Sequence, residues 1–535
     1  MLLVLALSGC TSFPEYVRNG FKVGPNYAPA PAPVAKTWID ANDKRVRLDT
    51  EDLSEWWNVF KIPDPNDPAS TPAAQVVMGA LPQLREKDKV ADPILHELIT
   101  DAVRENLTLR QAGTRILQAR ATLGVAVGNF FPQSQFLDGS ATRNANSLET
   151  VNSQNLRQRY FSQWNYGASV AWELDFWGRF RRAIESADAN LEASVFDYDD
   201  VLVTLLADVA TNYVIMRTNE ERIRYARENV TLQRKTVTRI EQRAKVGVDN
   251  YLNLDQAKSI LYQTEATIPE LEINLRIATN RLCVLLGIPM ENLQAKLRAA
   301  PIPVTPVDVA AGIPADLLRR RPDVRRAERQ AAAQSALIGV AEADFYPAIS
   351  LNGNLGWSSE HFRNLFRPEA FNGTFGPSFQ WNVLEYGRII NSVRFQDARF
   401  QEAVLGYQNT VLTAQQDVEN GLITFLKAQE RVKAQSQSVD FAEKAEKIVL
   451  DKYEAGTVDI AQLILLQQNL VQQQDTLAIS KGEIAQGLLQ VYKALGGGWE
   501  IGNHPSPRRP HLLRHHESTV VPQDAPPVAR FGPPS

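Results

Sequence analysis

The sequence predicts a mainly α protein that carries a transmembrane β-barrel and is assembled from two like halves. Three observations carry this. A proline-free stretch from Gly387 to Gly456 holds an apolar residue at every seventh position: Val404, Val411, Val418, Phe425, Val432 and Val439. The same seam occurs 209 residues earlier, as Val195, Leu202, Val209, Met216, Ile223, Val230 and Val237. Ahead of each seam the apolar period shortens to two, the period of a strand with one wet face.

A strict seven-residue spacing keeps one seam facing a partner helix, as in a coiled coil. At 1.5 Å per residue each rod is ~100 Å long, far beyond an ordinary helix of roughly 11–12 residues. A compact core has no use for such a rod; a tunnel or a strut does. Landmarks recur at the same offset: Trp177-Gly178-Arg179 with Tyr386-Gly387-Arg388, Gly247 with Gly456, and Leu286-Gly287 with Leu495-Gly496. Phe131-Pro132 matches Tyr346-Pro347 at an offset of 215, so a loop differs in length between the halves. The chain is an internal duplication.

The net charge is −4 with 22% charged residues, basic ones interspersed with acidic ones, so nucleic acid is not an expected partner. No run of 18 apolar residues exists to form a membrane-spanning helix. Two cysteines cannot make a disulfide framework. Cys283, in an apolar helical run, is expected to pack as a small hydrophobe. Cys10 closes the apolar stretch Leu2 to Gly9, which reads as an export signal. Leu7-Ser8-Gly9-Cys10 resembles the lipobox of bacterial lipoproteins. That resemblance implies removal of residues 1–9 and acylation of Cys10, and Thr11 next to it would not retain the protein in an inner membrane. The basic residue that ordinarily precedes such a stretch is missing; a start upstream of Met1 would account for it. A short buried N-terminal strand is the alternative.

In chain order, Phe21 to Trp38 is Pro- and Ala-rich and reads as an extended arm. Trp56, Trp57 and Phe60 look like an anchor. Residues 61–91 have no sustained period and read as an inserted loop, so 10–91 is an arm with an equatorial region. The first repeat spans 92–287. Its first helix starts at Asp92-Pro93, an acidic N-cap followed by Pro, and runs to about Asn129. Strands come next: a weak one around Phe136 to Arg143, then Gly167 to Asp175. A Pro-rich crossover covers 288–312. In the second repeat, 313–496, strands run through Ile349–Trp357 and Thr374–Val383. Each strand has about ten residues, as a tilted transmembrane strand requires. Hairpin loops are expected at 144–163 and 358–372. Behind each rod comes a turn, then a helix of similar length in both halves (Asn250 to Leu286; Asp459 to Leu495). A short helix before the strands and this one after the turn together equal a rod, so the pair can stack end to end against it. The tail 497–535 is Pro-rich.

Four strands cannot close a barrel, and an open edge is not tolerated in lipid, so strands placed in a membrane demand an oligomer. Ser, Thr, Asn, Gln and Gly on the inner face imply a water-filled lumen. A coiled coil capped by a small sheet in water is the alternative.

Several motifs then point to one family. Val23-Gly24-Pro25-Asn26-Tyr27, Trp56-Trp57, Leu318 to Glu328 (LRRRPDVRRAE), Ile338-Gly339-Val340-Ala341 with Phe345-Tyr346-Pro347, and Tyr492 to Trp499 resemble signatures of the TolC-like outer-membrane efflux proteins, in the NodT/OprM lipoprotein branch. The match runs from about residue 10 to 500. It implies a homotrimer with a shared 12-stranded β-barrel and a long periplasmic α-helical barrel. It also implies a periplasmic adaptor and an inner-membrane pump, most often of the resistance-nodulation-division (RND) type, as partners. The turns Val246-Gly247-Val248-Asp249 and Ala455-Gly456-Thr457-Val458-Asp459 would lie at the periplasmic tip and meet the adaptor, the glycines ending the rods and the aspartates capping the next helices. Family members with a tip gate narrow it with Leu and Asp. Those places hold Ala461 and Leu465 here, so an acidic contribution would come from Asp249, Asp255 or Asp459. No catalytic constellation, cofactor motif or metal set is evident: His96 and His361 are isolated, and the remaining four histidines are in the tail. The Arg319–Arg321 run reads as a salt-bridge cluster. A type I secretion exit duct and a non-conducting periplasmic tether are the rival functions.

Overall fold

The computed structural model describes residues 11–49, 51–61, 91–149, 158–247 and 250–501. The signal stretch, Cys10, most of the 61–91 insertion, Asp249 and the tail beyond 501 lie outside the described residues. A short helix α1 (Phe13–Arg18) leads into the arm. The arm then lies along the second rod. Prolines give it few N–H donors, and glutamine side chains of the rod serve its carbonyls: Gln408 Nε2 donates to Pro31 O (3.0 Å) and Gln415 Nε2 to Pro33 O (2.9 Å). Trp56, Trp57 and Phe60 are buried as expected. Trp56 stacks on Tyr492 at 5.6 Å, and Trp57 Nε1 donates to His96 Nδ1 at 3.0 Å.

The helix expected over 92–129 is two helices, α2 (Pro93–Glu105) and α3 (Leu107–Gly128). Asp92 caps α2 through Ile94 N and Leu95 N. The break is at Asn106, whose extended backbone (ψ 124°) stops one helix while its side chain accepts from Leu109 N to start the next. The rods are α4 (Arg179–Lys245) and α7 (Arg388–Glu454), 67 residues each. After their turns come α5 (Tyr251–Leu285) and α8 (Ile460–Ala494), 35 residues each. Between the repeats, α6 (Pro322–Glu342) precedes the second strand pair.

Both seams face helix partners. Leu202, Val209, Met216, Ile223 and Val230 are buried, as are Val411, Val418, Phe425 and Val439; Val195, Val237, Val404 and Val432 are half-buried. The helices form a layer in which α4 packs against α3 and α5 on one flank and against α6 and α8 on the other, while α7 packs against α6 and α8. The stretch of α4 apolar enough to pass for a membrane span is 67% buried inside the protein and belongs to this core. The short helices stack end to end, and each joint has a side-chain clasp. Asn106 Nδ2 donates to Leu285 O (2.8 Å) in the first repeat, and Arg321 Nη1 donates to Ala494 O (2.9 Å) in the second. These acceptors are end carbonyls that a helix leaves unbonded. Arg321, from the arginine run, is thus a structural clasp that also pairs with Asp323 and Asp417.

The strands are β1 (Ser134–Ala145), β2 (Tyr160–Leu174), β3 (Ala348–Ser359) and β4 (Phe371–Gln380), an antiparallel sheet in the order β1-β2-β3-β4. Pairing register puts Tyr166, Ala168, Val170, Trp172 and Leu174 on one face with Trp357, Leu355, Leu351, Ile349 and Phe371, Phe375, Phe379. The opposite face carries Asn165, Ser169 and Glu173 with Ser358, Asn354, Asn352, Ser350 and Thr374, Ser378. The weak strand is weak because Phe136 falls on the polar face and Gln135 on the apolar one. β4 ends at Gln380, short of the expected Val383, because its partner begins at Ala348 and nothing further pairs with it among the described residues. The duplication survives in detail: Trp172 Nε1 donates to Phe130 O, and Trp381 Nε1 to Phe345 O.

A Cβ on Gly487 of α8 would lie 2.7 Å from the backbone N of Phe425 on α7, so the two backbones touch there. Gly487→Leu overpacks this contact and is expected to lower stability by about 1–3 kcal/mol, seen as a lower midpoint of helix loss by circular dichroism in detergent.

Candidate functional site

At the end of the rods far from the sheet, two helix hairpins sit together. In the first, α4 ends at Lys245, Val246 is exposed, and Gly247 turns the chain at φ +77°. In the second, α7 ends at Glu454, Ala455 caps it, and Gly456 turns at φ +73°. A Cβ on Gly456 would touch nothing, so the requirement there is the left-handed backbone and not space. Thr457 closes that turn twice, its N–H and its hydroxyl both donating to Lys452 O at 3.0 Å. Asp459 caps α8 by accepting from Ala461 N at 3.1 Å, as expected. The cap of α5 is Asn250 in place of the expected Asp249: the Asn250 side chain accepts from Leu252 N at 3.1 Å. Asparagine caps as well as aspartate, so the sequence carries the signal one residue further on.

Behind the turns lies a small core of Ile240, Leu254, Ala257, Val449, Tyr453, Ile460, Leu463 and Ile464. The Arg243 guanidinium sits 4.9 Å over the Tyr453 ring, and Arg239 pairs with Glu454, so both hairpins are fastened to each other. Of the gate candidates, Ala461 and Leu465 share an exposed face of α8 one turn apart, while Asp255 is exposed on the other hairpin. Leu465 lines a groove of about 590 Å³ with Ile260, Thr264 and Gln468. Among the described residues no cluster of His, Cys, Asp or Glu is placed to hold a metal.

At the other end, the apolar face of the sheet carries two aromatic rows. One is Tyr166, Trp357, Phe366 and Phe371. The other is Trp172 with Trp381, where the strands meet the helices. Rows of this kind flank the apolar band of membrane barrels. The first described residues are pinned near this end. Thr11 Oγ1 donates to Glu342 Oε2 (2.7 Å) at the end of α6 and accepts from Gly24 N (3.0 Å). Burial pushes the Glu342 carboxyl up, and the Thr11 hydroxyl and the Gly24 N–H oppose that shift. Tyr16 OH donates to Phe176 O (2.7 Å) just beyond β2.

The family described as outer membrane efflux protein matches residues 98–288 and 313–497. Nodulation protein T of Rhizobium leguminosarum bv. viciae is 28% identical over 79% of this chain and 86% of its own length. The toluene efflux pump outer membrane protein TtgI of Pseudomonas putida is 29% identical over 83% of this chain and 96% of its own. The outer-membrane channel OprN superposes with a TM-score of 0.78 at 28% identity, covering 89% of this chain and 99% of that one.

Removing the α8 cap tests the tip. Asp459→Ala is expected to cost about 0.5–2 kcal/mol locally, read as faster hydrogen exchange in the first turn of α8 with amides in the middle of the rods unchanged.

Proposed function

The chain belongs to the outer membrane efflux protein family and is an outer-membrane efflux channel, and we propose that three copies of it form one duct. In this reading the sheets pool into a 12-stranded barrel, and the helical layers continue it as a periplasmic tube. The single observation that carries it is the sheet itself: one face apolar, one face polar, and both edge strands, β1 and β4, without an outer partner among the described residues. Such a sheet is stable in hydrocarbon only when its edges meet other edges. The two edges are different surfaces, so the contact is head-to-tail and generates a ring.

The channel has no catalytic part and works as a passive conduit. Driving energy comes from an inner-membrane pump, proposed here to be of the RND type and joined through a periplasmic adaptor. The adaptor is proposed to meet the tip at Val246, Gly247, Asp249, Ala455, Gly456, Thr457 and Asp459. Two exposed turns beside a fastened core support this, since a docking surface needs side chains free on a rigid base. Asp255, Ala461, Leu465 and Asp249 are proposed to set the width and charge of the closed tip. Cys10 is proposed to be acylated: Thr11 is held at the sheet end of α6, so acyl chains on its neighbour would start where the barrel enters lipid.

In planar bilayers the purified protein is expected to give discrete conductance steps, and light scattering in detergent to return three chain masses. A monomer without conductance would refute the duct. Mass spectrometry of the mature N-terminus is expected to show acyl groups on Cys10 and none after Cys10→Ser.

A further inference from the structure

The sheet has two ends. At one, β2 runs into α4 and β3 follows α6; at the other, the chain passes from Ser359 of β3 to Phe371 of β4 through residues 360–370. This far segment folds back onto the apolar face. Phe362 meets Trp164 edge-on at 5.1 Å between ring centroids. Phe366 meets Tyr166 at 5.9 Å and Trp357 at 6.2 Å, and Leu365 between the two phenylalanines is buried. Pairing register puts Trp164, Tyr166 and Trp357 on the apolar face. The segment therefore lies against the side that hydrocarbon would meet, and not across the polar side that would line the duct.

The same end gathers positive charge that the chain does not neutralise. Arg363 and Arg367 each follow one of the two phenylalanines, and both are exposed. Among the described residues neither guanidinium has an ion pair or a hydrogen bond, although Glu360 and Glu369 belong to the same segment. Arg143, on the apolar face by register, donates to Ser162 Oγ at 3.1 Å, and Arg159 lies 5.2 Å over the Tyr160 ring. Where the strands meet the helices, arginines are ion-paired: Arg181 with Asp175 at 2.8 Å, Arg179 with Glu173 and Asp344, Arg388 with Glu385. In water an exposed guanidinium needs no partner. At a hydrocarbon boundary, charge on the lipid side is tolerated only beside the headgroups, and a headgroup anion is its natural counter-charge.

We propose that the far end of the apolar face is a binding site for a lipid that carries phosphate monoesters, drawn from the outer leaflet. Its acyl chains lie along the rings of Tyr166, Trp357 and Phe366, and its phosphate is held by Arg363 and Arg367. The headgroup follows from charge. A guanidinium presents a planar fork that takes two phosphate oxygens. Two such forks, four residues apart in sequence, supply two positive charges. A phosphate monoester carries about −1.5 to −2, whereas the phosphodiester of an ordinary phospholipid carries a single negative charge. The aromatic rings beneath the arginines are the side chains that settle at the boundary between acyl chains and headgroups.

This rests on the membrane barrel proposed above, with the helices on its periplasmic side, and adds what the outer rim recognises. The test is native mass spectrometry of the purified full chain in detergent, with bisphosphorylated lipid A as the probe. The wild type is expected to retain it. Arg363→Gln combined with Arg367→Gln is expected to retain at least about tenfold less, since a charge-assisted hydrogen bond is lost at each position. Arg388→Gln, at the helix end, is expected to bind as the wild type does. Lipid A stripped of its phosphates, and phosphatidylglycerol, are expected to bind far more weakly. Equal retention by the double variant, or of lipid A without phosphates, means that acyl chains alone hold the lipid and overturns the site. Phosphatidylglycerol retained as well as lipid A overturns the headgroup, and release of lipid A by inorganic phosphate at matched concentration reveals a site for free anions and overturns the lipid. No retention by a wild type that light scattering shows to be trimeric overturns the site and leaves the barrel standing. A monomer by light scattering overturns the barrel reading and the site with it.

Discussion

A strand in hydrocarbon can place its backbone N–H and C=O groups only on another strand. In the proposed barrel that demand falls on the edges of β1 and β4, which have no outer partner among the described residues. The helices follow the order of the sheet along the chain: α3 leads into β1, and α7 follows β4. In the proposed ring, the copy that meets the sheet edges would also lie beside the exposed apolar residues of α7. Leu405, Leu412, Ile423, Phe441 and Ile448 on that rod stand exposed in a single chain, and water exposure of such a stripe is unfavourable by about 25 cal/mol per Å² of apolar surface. Edge pairing and rod packing thus favour the same assembly.

The long wall is made from unequal pieces. Two rods run its full length, and shorter helices are laid end to end against them. The joints at Asn106 and Arg321 solve the same problem with different chemistry. A helix end leaves carbonyls without partners, and a side chain from the next helix supplies the donor. Glycine makes the approach possible: a Cβ on Gly287 would lie 2.6 Å from the Glu105 carbonyl oxygen.

The rods are not uniformly apolar inside. Between the main core and the tip core lies a buried polar layer, in which Asn229 donates to Gln474 (2.7 Å) and Gln467 donates to Thr236 (3.0 Å) and Glu446 (2.9 Å). The neutral pairs contribute only about 0.5–1.5 kcal/mol net each, and the bond to the Glu446 carboxylate about 1.5–3 kcal/mol. The tip therefore rests on its own small apolar cluster, separated from the large one by this polar layer. Local stability varies along such a structure, and the tip is the end where a duct would have to change width.

The seven-residue seams, the duplication, the glycine turns and the two-residue alternation of three strands were legible because each is a property of residue spacing within one element. So were the rod lengths and the end-to-end arrangement of the short helices, which come from counting. The break at Asn106 was not legible: an Asn inside an apolar helical pattern reads as tolerated until the Leu285 carbonyl it serves is in place. The role of Arg321 was hidden for the same reason, since its acceptor is 173 residues away in sequence. The cap at Asn250 was visible in residue type, but Asp249 beside it carries an equal signal, and only the backbone decides between them. Phe136 misled because a strand's inner and outer faces are decided by its neighbour's register and not by its own pattern. Residue spacing by itself thus determined rods, strands and repeats. Only the tertiary structure decided which flanks and edges are left open, because an open edge is defined by the partner it lacks, and no local pattern records a partner.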